Sequence, residues 1–449
     1  MKVARWKVVG LAGALALGYV ASADAAQIKV DENTWANFGL QMKIWYNHLD
    51  KRSNSTAAGG WTQNAFDVGE TKIYFTGQVT PAFQFYSELN TQPVSRGGGA
   101  VLGEAGINLA FAKEFQVLAG LIRKPFTRAQ LSSGYALLTP QGYWRDPQGQ
   151  LGAIRAALTG LGGNTDGGLM VHGDLAGGMF RYRVGVYNED RSNATKFWSG
   201  TNSTGWGDVN RTTGTKLNNL KNFEWNARIE FTPTMLGFKP ESAATITAKI
   251  GDTYLGSKDV LTIGIGYHAE THTPKSTIGN TDVGDLKRKG WTIDALFEKK
   301  YGNVVPNLQI GYISLDKTHY YNSYQWNGTT WINALTQVKK GDSDIWYVTG
   351  QLLFDQVVWL GKPAIAFRYE KITGDGQWTD NATLKKDLTT ETFGLAFNYY
   401  IKGQAARISL GFDQTKYKDA LKYYLKYANS AEKKEDSITD WYLYFQSQF

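Results

Sequence analysis

The chain has 449 residues, 50 glycines, 10 prolines and no cysteine; 14% of it is aromatic, 20% is charged, and its formal net charge is +8 at pH 7. Without cysteine there is no disulfide framework, no thiolate metal site and no thiol nucleophile, and the aromatic content argues against disorder. Mean hydropathy is −0.36, and one apolar run at the N-terminus is far from the several runs of about 20 residues that a bundle of membrane helices needs.

In chain order, the first element is an address. Lys2, Arg5 and Lys7 precede the apolar stretch Val8–Val20, and Ala23-Asp24-Ala25 has the form of a cleavage site. This is the three-part pattern of a secretory signal peptide, so residues 1–25 are expected to be removed and residues 26–449 exported. After that, helical periodicity is scarce and period-two alternation recurs. In Asn37–Tyr46, Phe38, Leu40, Met42, Ile44 and Tyr46 share a face opposite Gln41 and Lys43. Lys72–Val79, Ala82–Leu89, Ile107–Phe111, Gln116–Ile122 and Gly168–Leu175 follow. Phe180–Asn188 sets Phe180, Tyr182, Val184 and Val186 against Arg181 and Arg183. The cleanest case is Phe223–Phe231, where Phe223, Trp225, Ala227, Ile229 and Phe231 oppose Glu224, Asn226, Arg228 and Glu230. Thr245–Ile250 is weak. The rhythm returns in Leu261–His268, Trp291–Lys300, Asn307–Tyr312, Ile345–Phe354, Ile365–Glu370, Phe393–Tyr400, Arg407–Asp413 and Trp441–Phe449.

With their frayed ends these segments are close to the roughly 9–11 residues that a tilted strand needs to cross a bilayer. The connections alternate. Thr80-Pro81, Lys113-Glu114, Ala176–Gly178, Tyr301–Asn303 and Lys402-Gly403 are short. Asn47–Ala65, Thr127–Thr165, Glu189–Lys221, Lys317–Asp342, Thr373–Leu388 and Lys418–Asp436 are long and polar. Short turns on one side and long loops on the other describe an all-β, transmembrane antiparallel β-barrel of an outer membrane. Turning Arg228 toward lipid would cost about 2–4 kcal/mol at mid-bilayer, so the alternation sets which face meets hydrocarbon. Strand number is even in such barrels. Dropping Thr245–Ile250, in the weak region Glu241–Thr271, leads to 16 strands, with 18 as the fallback. An aqueous channel is the interior expected at this size.

The ending Trp441-Tyr-Leu-Tyr-Phe-Gln-Ser-Gln-Phe449 resembles the terminal strand signal of outer-membrane proteins, with Ser447 where an apolar residue is more usual. Lys72–Leu89, Ile107–Leu131 and Gly168–Asn188 resemble the phosphate-selective porin family, the O and P type of Gram-negative outer membranes. The resemblance covers the first half of the chain and the last strand. It implies a 16-stranded barrel, often a homotrimer, that passes small anions past basic pore residues.

The resemblance also implies that the segment after the fifth strand, residues 123–165, folds into the lumen and narrows it. By charge this segment carries Arg123, Lys124, Arg128, Arg145 and Arg155 against Asp146. Basic groups in a narrow, partly dehydrated passage lower the barrier for anions; on a solvated outer loop the same groups would meet lipopolysaccharide phosphates. The inward basic candidates of the wall are Lys43, Lys72, Arg181, Arg183, Arg228, Arg368 and Arg407, and the inward acids are Glu224, Glu230, Asp294, Glu298, Glu370 and Asp413. Such a mixture is expected to pair across neighbouring strands, leaving a weak anion preference set by the inward segment.

Other motifs carry less. His268-Ala-Glu270-Thr-His272 places three metal-ligand types on one strand face, but the strand is expected to end near Glu270, and no metal site is assigned. Gly251–Lys258 has Ser257 before Lys258, the wrong order for a phosphate loop. No G-x-S-x-G elbow occurs, and no enzymatic activity is expected. Basic residues are dispersed, against nucleic-acid binding. No C-x-x-C-H is present, so no cofactor is expected on this chain. The leading expectation is a water-filled channel for small hydrophilic solutes, with outer-membrane lipid and lipopolysaccharide as its surroundings. The alternatives are a barrel sheath for a partner such as a multihaem cytochrome conduit, and an exported soluble glycan-binding β-protein.

Overall fold

Alternation along the chain becomes a wall with two chemistries. The computed structural model describes residues 26–52, 61–91, 99–140, 158–159, 164–188, 195–198, 205–208, 222–241, 247–272, 277–278, 281–282, 286–380, 383–427 and 437–449. The export segment, Arg145 and Arg155 lie outside the described residues. The strands of the wall are β1 (Trp35–Arg52), β2 (Trp61–Thr80), β3 (Phe83–Thr91), β4 (Ala100–Ala110), β5 (Gln116–Arg123), β6 (Thr165–Leu175), β7 (Phe180–Asn188) and β8 (Phe223–Phe231). They continue as β9 (Val260–His272), β10 (Leu286–Glu298), β11 (Val304–Trp326), β12 (Trp331–Phe354), β13 (Lys362–Asp380), β14 (Thr383–Lys402), β15 (Ala406–Lys418) and β16 (Ser437–Gln448). Each pairs antiparallel with the next, and β16 pairs with β1, which closes a 16-stranded barrel. At the seam, Leu40 and Phe449 exchange N–H···O bonds of 3.0 Å.

The facing follows the sequence pattern. On β8, Ile229 is 60% exposed on the outer surface while Arg228 beside it is 1% exposed inside. Phe223, Trp225, Ile265, Trp291, Trp346, Phe397 and Trp441 continue the outer apolar belt. Such a surface is stable only against lipid. The terminal signal residues Trp441, Leu443 and Phe445 all face outward.

Three features bear on the sequence expectations. First, the wall has the expected 16 strands, and the described part of Thr245–Ile250, from Thr247, lies inside the barrel rather than in its wall; the other two features depart from expectation. Second, much of Lys317–Asp342 and Thr373–Leu388, expected as loops, is strand. β11 and β12 run for 23 and 24 residues, against 8 for β5. Past Lys317 the six residues Thr318–Ser323 of β11 are all buried, whichever way they point, so the alternation fades while the ladder of backbone bonds continues. Third, most turns on the side of the termini are short, but residues 232–259, between β8 and β9, form a long connection on that side.

Part of the interior is apolar. Ile313, Leu315, Ile345, Ile372, Leu388 and Tyr417 face inward at the loop end. They pack with Phe126, Leu158 and the helix α2 (Asp419–Tyr427), through Ala420, Leu421 and Tyr424. A second cluster joins Tyr86, Leu118, Ile122, Met170 and Tyr187 of the wall to Ala248 of the long connection.

Candidate permeation pathway

The inward wall is a network of buried charges. Lys72 binds Glu88 at 2.9 Å, and Arg183 binds Glu230 at 3.0 Å. Arg181 binds Asp174 at 2.6 Å and approaches Glu230 at 3.8 Å. Arg228 binds Glu230 at 2.8 Å and Asp294, two strands away, at 2.6 Å. Arg368 likewise reaches from β13 past β14 to Asp413 on β15, at 3.0 Å. The residue between them in register is Gly394, whose Cβ would lie 1.9 Å from Asp413 Oδ1. Glycine there is what lets an ion pair skip a strand. Lys43 donates to the Gly134 carbonyl at 2.9 Å and lies over the Tyr135 ring. Arg407 donates to the Leu137 carbonyl at 2.6 Å and to Gln446. All seven wall cations named from the sequence therefore face inward.

The segment after β5 turns into the bore. It opens on a one-turn helix, α1 (Arg128–Leu131), capped by Thr127 and Gln130. From there it crosses the lumen. Phe126 O approaches Gly266 of β9 so closely that a Cβ there would lie 2.1 Å away. Past α1, Lys43 on β1, Gln446 on β16, Arg407 on β15 and Asn398 on β14 donate in turn to the carbonyls of Gly134, Tyr135, Leu137 and Leu138, at 2.9, 2.9, 2.6 and 2.7 Å. Each of the three described cations assigned to this segment has a carboxylate. Arg123 binds Glu104 at 2.9 Å, and Lys124 binds Glu224 at 2.5 Å. Arg128 binds Glu241 at 2.6 and 2.8 Å.

Glu241 belongs to the long connection between β8 and β9, which also enters the bore. Lys249 reaches Glu88 and Glu104 on β3 and β4, at 2.5 and 3.3 Å. Opposite, Glu298 of β10 accepts from Thr253 Oγ1 and from the N–H groups of Tyr254 and Gly256. The Asp252 carbonyl accepts from Asn307 and Gln309 of β11. This strap is thus tied to opposite walls. It meets the first segment through Arg128–Glu241, through Ser132 Oγ to Asp252 at 2.6 Å, and through backbone bonds between Ile250 and both Leu131 and Ser133. Burial alone would raise the Glu241 carboxyl; the Arg128 guanidinium outweighs it and holds the group below its ordinary range. Two strap residues without glycine's freedom, Ala248 and Leu255, sit at φ 55° and 52°. That conformation costs about 1–2 kcal/mol each and persists because the bonds hold it.

Charge reading along the chain found the cations but missed Glu88, Glu104, Glu241, Lys249 and the strap. The run Thr262-Ile-Gly-Ile-Gly-Tyr-His268 held one signal, since glycines at inward positions mark close approach of another backbone. The H-x-E-x-H motif serves the wall. β9 continues to His272; His268 faces Asn226 at 3.1 Å, and Glu270 lies 3.5 Å from Arg288. Among the described residues no group of three metal-ligating side chains forms.

With the closed wall and its apolar belt in place, the setting is decided. The chain is an outer-membrane β-barrel. No family profile matches it. An uncharacterized protein of Aquifex aeolicus (strain VF5) is 27% identical over 308 residues, which is 68% of this chain and 59% of that one. This chain therefore spans less than two thirds of that relative's length. Among solved structures, the anion-selective porin from Comamonas acidovorans superposes with a TM-score of 0.52 at 10% identity, over 93% of this chain and 100% of that one. Salmonella typhi OmpF in complex with daunomycin gives 0.51 at 12% identity, over 94% and 100%. The outer membrane channel DcaP of Acinetobacter baumannii gives 0.50 at 10% identity, over 93% and 99%. At these identities the likeness is one of fold.

Proposed function

We propose that the protein is a porin-like channel for passive diffusion of small hydrophilic solutes, narrowed by two inward segments and weakly selective for anions. The observation that carries this reading is the inner wall. A sheet that only needed to bury itself would fill its inside with apolar side chains, whereas this one spends its inward positions on ion pairs and amides. A small cleft lies between the two segments and β12–β13, lined by Leu137, Thr139, Asp252, Thr349, Arg368 and Glu370. Charge selectivity is small because Arg123, Lys124 and Arg128 are each matched by a carboxylate. The residual preference rests on Arg407, which is buried and donates to a carbonyl and an amide, with its Nε unpartnered among the described residues. Bore-crossing segments of the chain itself favour a channel over a sheath for a second polypeptide. Assembly as a homotrimer belongs to this proposal; the outer faces of β4 and β5, with Ala105, Ile107, Val117 and Ala119, carry no aromatic rings and would pack flat.

Planar-bilayer recording in a salt gradient tests the reading. Open channels with a small reversal potential of anionic sign are expected, arriving in steps of three, and Arg407→Gln should move the potential toward zero. Silent bilayers, or cation preference at neutral pH, would overturn it.

A further inference from the structure

Outside the bore, one strip of the lipid-facing surface breaks the apolar belt. On β13, β14 and β15, Lys371, Glu391 and Lys416 are direct neighbours in register and all face outward. Lys418, two residues on, binds Glu391 at 2.6 Å. Three ammonium groups thus gather round one carboxylate, and Lys371 and Lys416 have no acidic partner within ion-pair distance among the described residues. Two residues nearer the membrane centre, the same strands present Tyr369, Phe393 and Gln414, and below them Phe367, Leu395 and Phe412, with Phe412 against Trp441 at 4.8 Å. The lysines therefore stand one rung outside the aromatic belt, on the side of the long loops. Farther out, Asp375, Asp387 and Asp419 follow.

We propose that this strip binds the phosphorylated headgroup of an outer-leaflet glycolipid of the lipid A class. The level is that of the headgroup phosphates, where an aromatic belt gives way to water. Lysine is a compact charge suited to phosphate oxygens, and Lys371 on β13 with Lys416 and Lys418 on β15 flank the single carboxylate of Glu391 on β14, which leaves the strip with an excess of positive charge. A phosphate bridging Lys371 and Lys416 supplies the charge that Glu391 alone cannot. The acyl chains then lie along Phe367, Leu395, Phe397 and Leu410, which face lipid already. The source is a lipid rather than free phosphate because only a lipid places its phosphate at this height with its chains on that wall. The aspartates farther out leave room for a divalent cation to bridge the headgroup, but the lysines alone carry the proposal.

Native mass spectrometry of the detergent-solubilised full-length barrel, titrated with bisphosphoryl lipid A, tests it. The wild type should retain lipid A at least tenfold more strongly than dephosphorylated lipid A, and more strongly than phosphatidylethanolamine. The Lys371→Gln/Lys416→Gln/Lys418→Gln variant should lose that margin, whereas Lys287→Gln/Lys289→Gln, an outward basic pair on β10, should keep it. Glu391→Gln retains all three lysines and removes their competitor, so it should bind more tightly; this arm stands if the triple variant does not fold. Inorganic phosphate at millimolar concentration should not displace the lipid. Equal retention of phosphorylated and dephosphorylated lipid by the wild type, an unchanged triple variant, or weaker binding by Glu391→Gln would each overturn the proposal.

Discussion

Two segments enter the bore, and they are held there by different physics. Residues 124–140 are stitched past α1 by their own carbonyls, which accept from Lys43, Gln446, Arg407 and Asn398 of the wall. Backbone acceptors neither titrate nor depend on the segment's side chains. The strap between β8 and β9 is held by carboxylates at its ties: Glu241 on Arg128, Glu88 on Lys249, and Glu298 on its hydroxyl and backbone N–H groups. It also carries two residues in a strained conformation. The comparison teaches that two segments can be tied into one bore by different acceptors: past α1 the first relies on its backbone carbonyls, with ion pairs only at Lys124 and Arg128 at its start, whereas the strap relies on carboxylates at its ties.

The largest test of that contrast removes the strap. Replacing residues 242–253 with a short glycine-serine turn should raise single-channel conductance several-fold with the first segment in place; unchanged conductance would mean that the strap does not narrow the route. Next come paired substitutions. Glu241→Gln strands the buried Arg128 guanidinium, and losing one partner of such a pair costs about 3–5 kcal/mol. Asn398→Ala removes one wall donor to the first segment and should cost about 1 kcal/mol. Urea unfolding of the barrel should rank them in that order, with channel flicker appearing in Glu241→Gln alone. A reversed order would make the first segment the looser one.

Acid supplies the subtler measurement. Because the Glu241 carboxyl is held below its ordinary value of 4.5, its contribution is complete above that pH and is lost as pH falls through the lower folded value. Conductance noise should stay level from about pH 8 to about pH 5 and rise only below about pH 4. Noise that rises near neutrality would assign the gate to another group. The smallest expected effect is that of Tyr254→Phe, which removes a 2.8 Å bond to Glu241. It should cost about 1 kcal/mol and bring the acid transition to slightly higher pH; no change would mean that Arg128 alone holds the carboxylate.

The wall was legible because it answers to a local rule. Phe223–Phe231 must turn Arg228 one way and Ile229 the other whatever its neighbours do, and the same rule placed Lys43, Lys72, Arg181, Arg183, Arg368 and Arg407 on the inside. Extent was less legible. The hairpin of β11 and β12 continues past the apolar belt, where Thr318–Ser323 are buried on both faces and no alternation marks the strand. The apolar inward residues Ile313, Ile345 and Leu388 broke the rule too, because their partners are α2 and the first segment rather than lipid or water.

What the sequence by itself determined is the facing of each strand, since a charged side chain cannot lie in hydrocarbon at tolerable cost. Which cation meets which anion was decided by the tertiary structure alone. Arg128 and Glu241 are far apart in the chain, and Arg368 and Asp413 sit two strands apart, so no period along the chain links them. Closure of the barrel brings them together, and burial then requires that each charge find a partner.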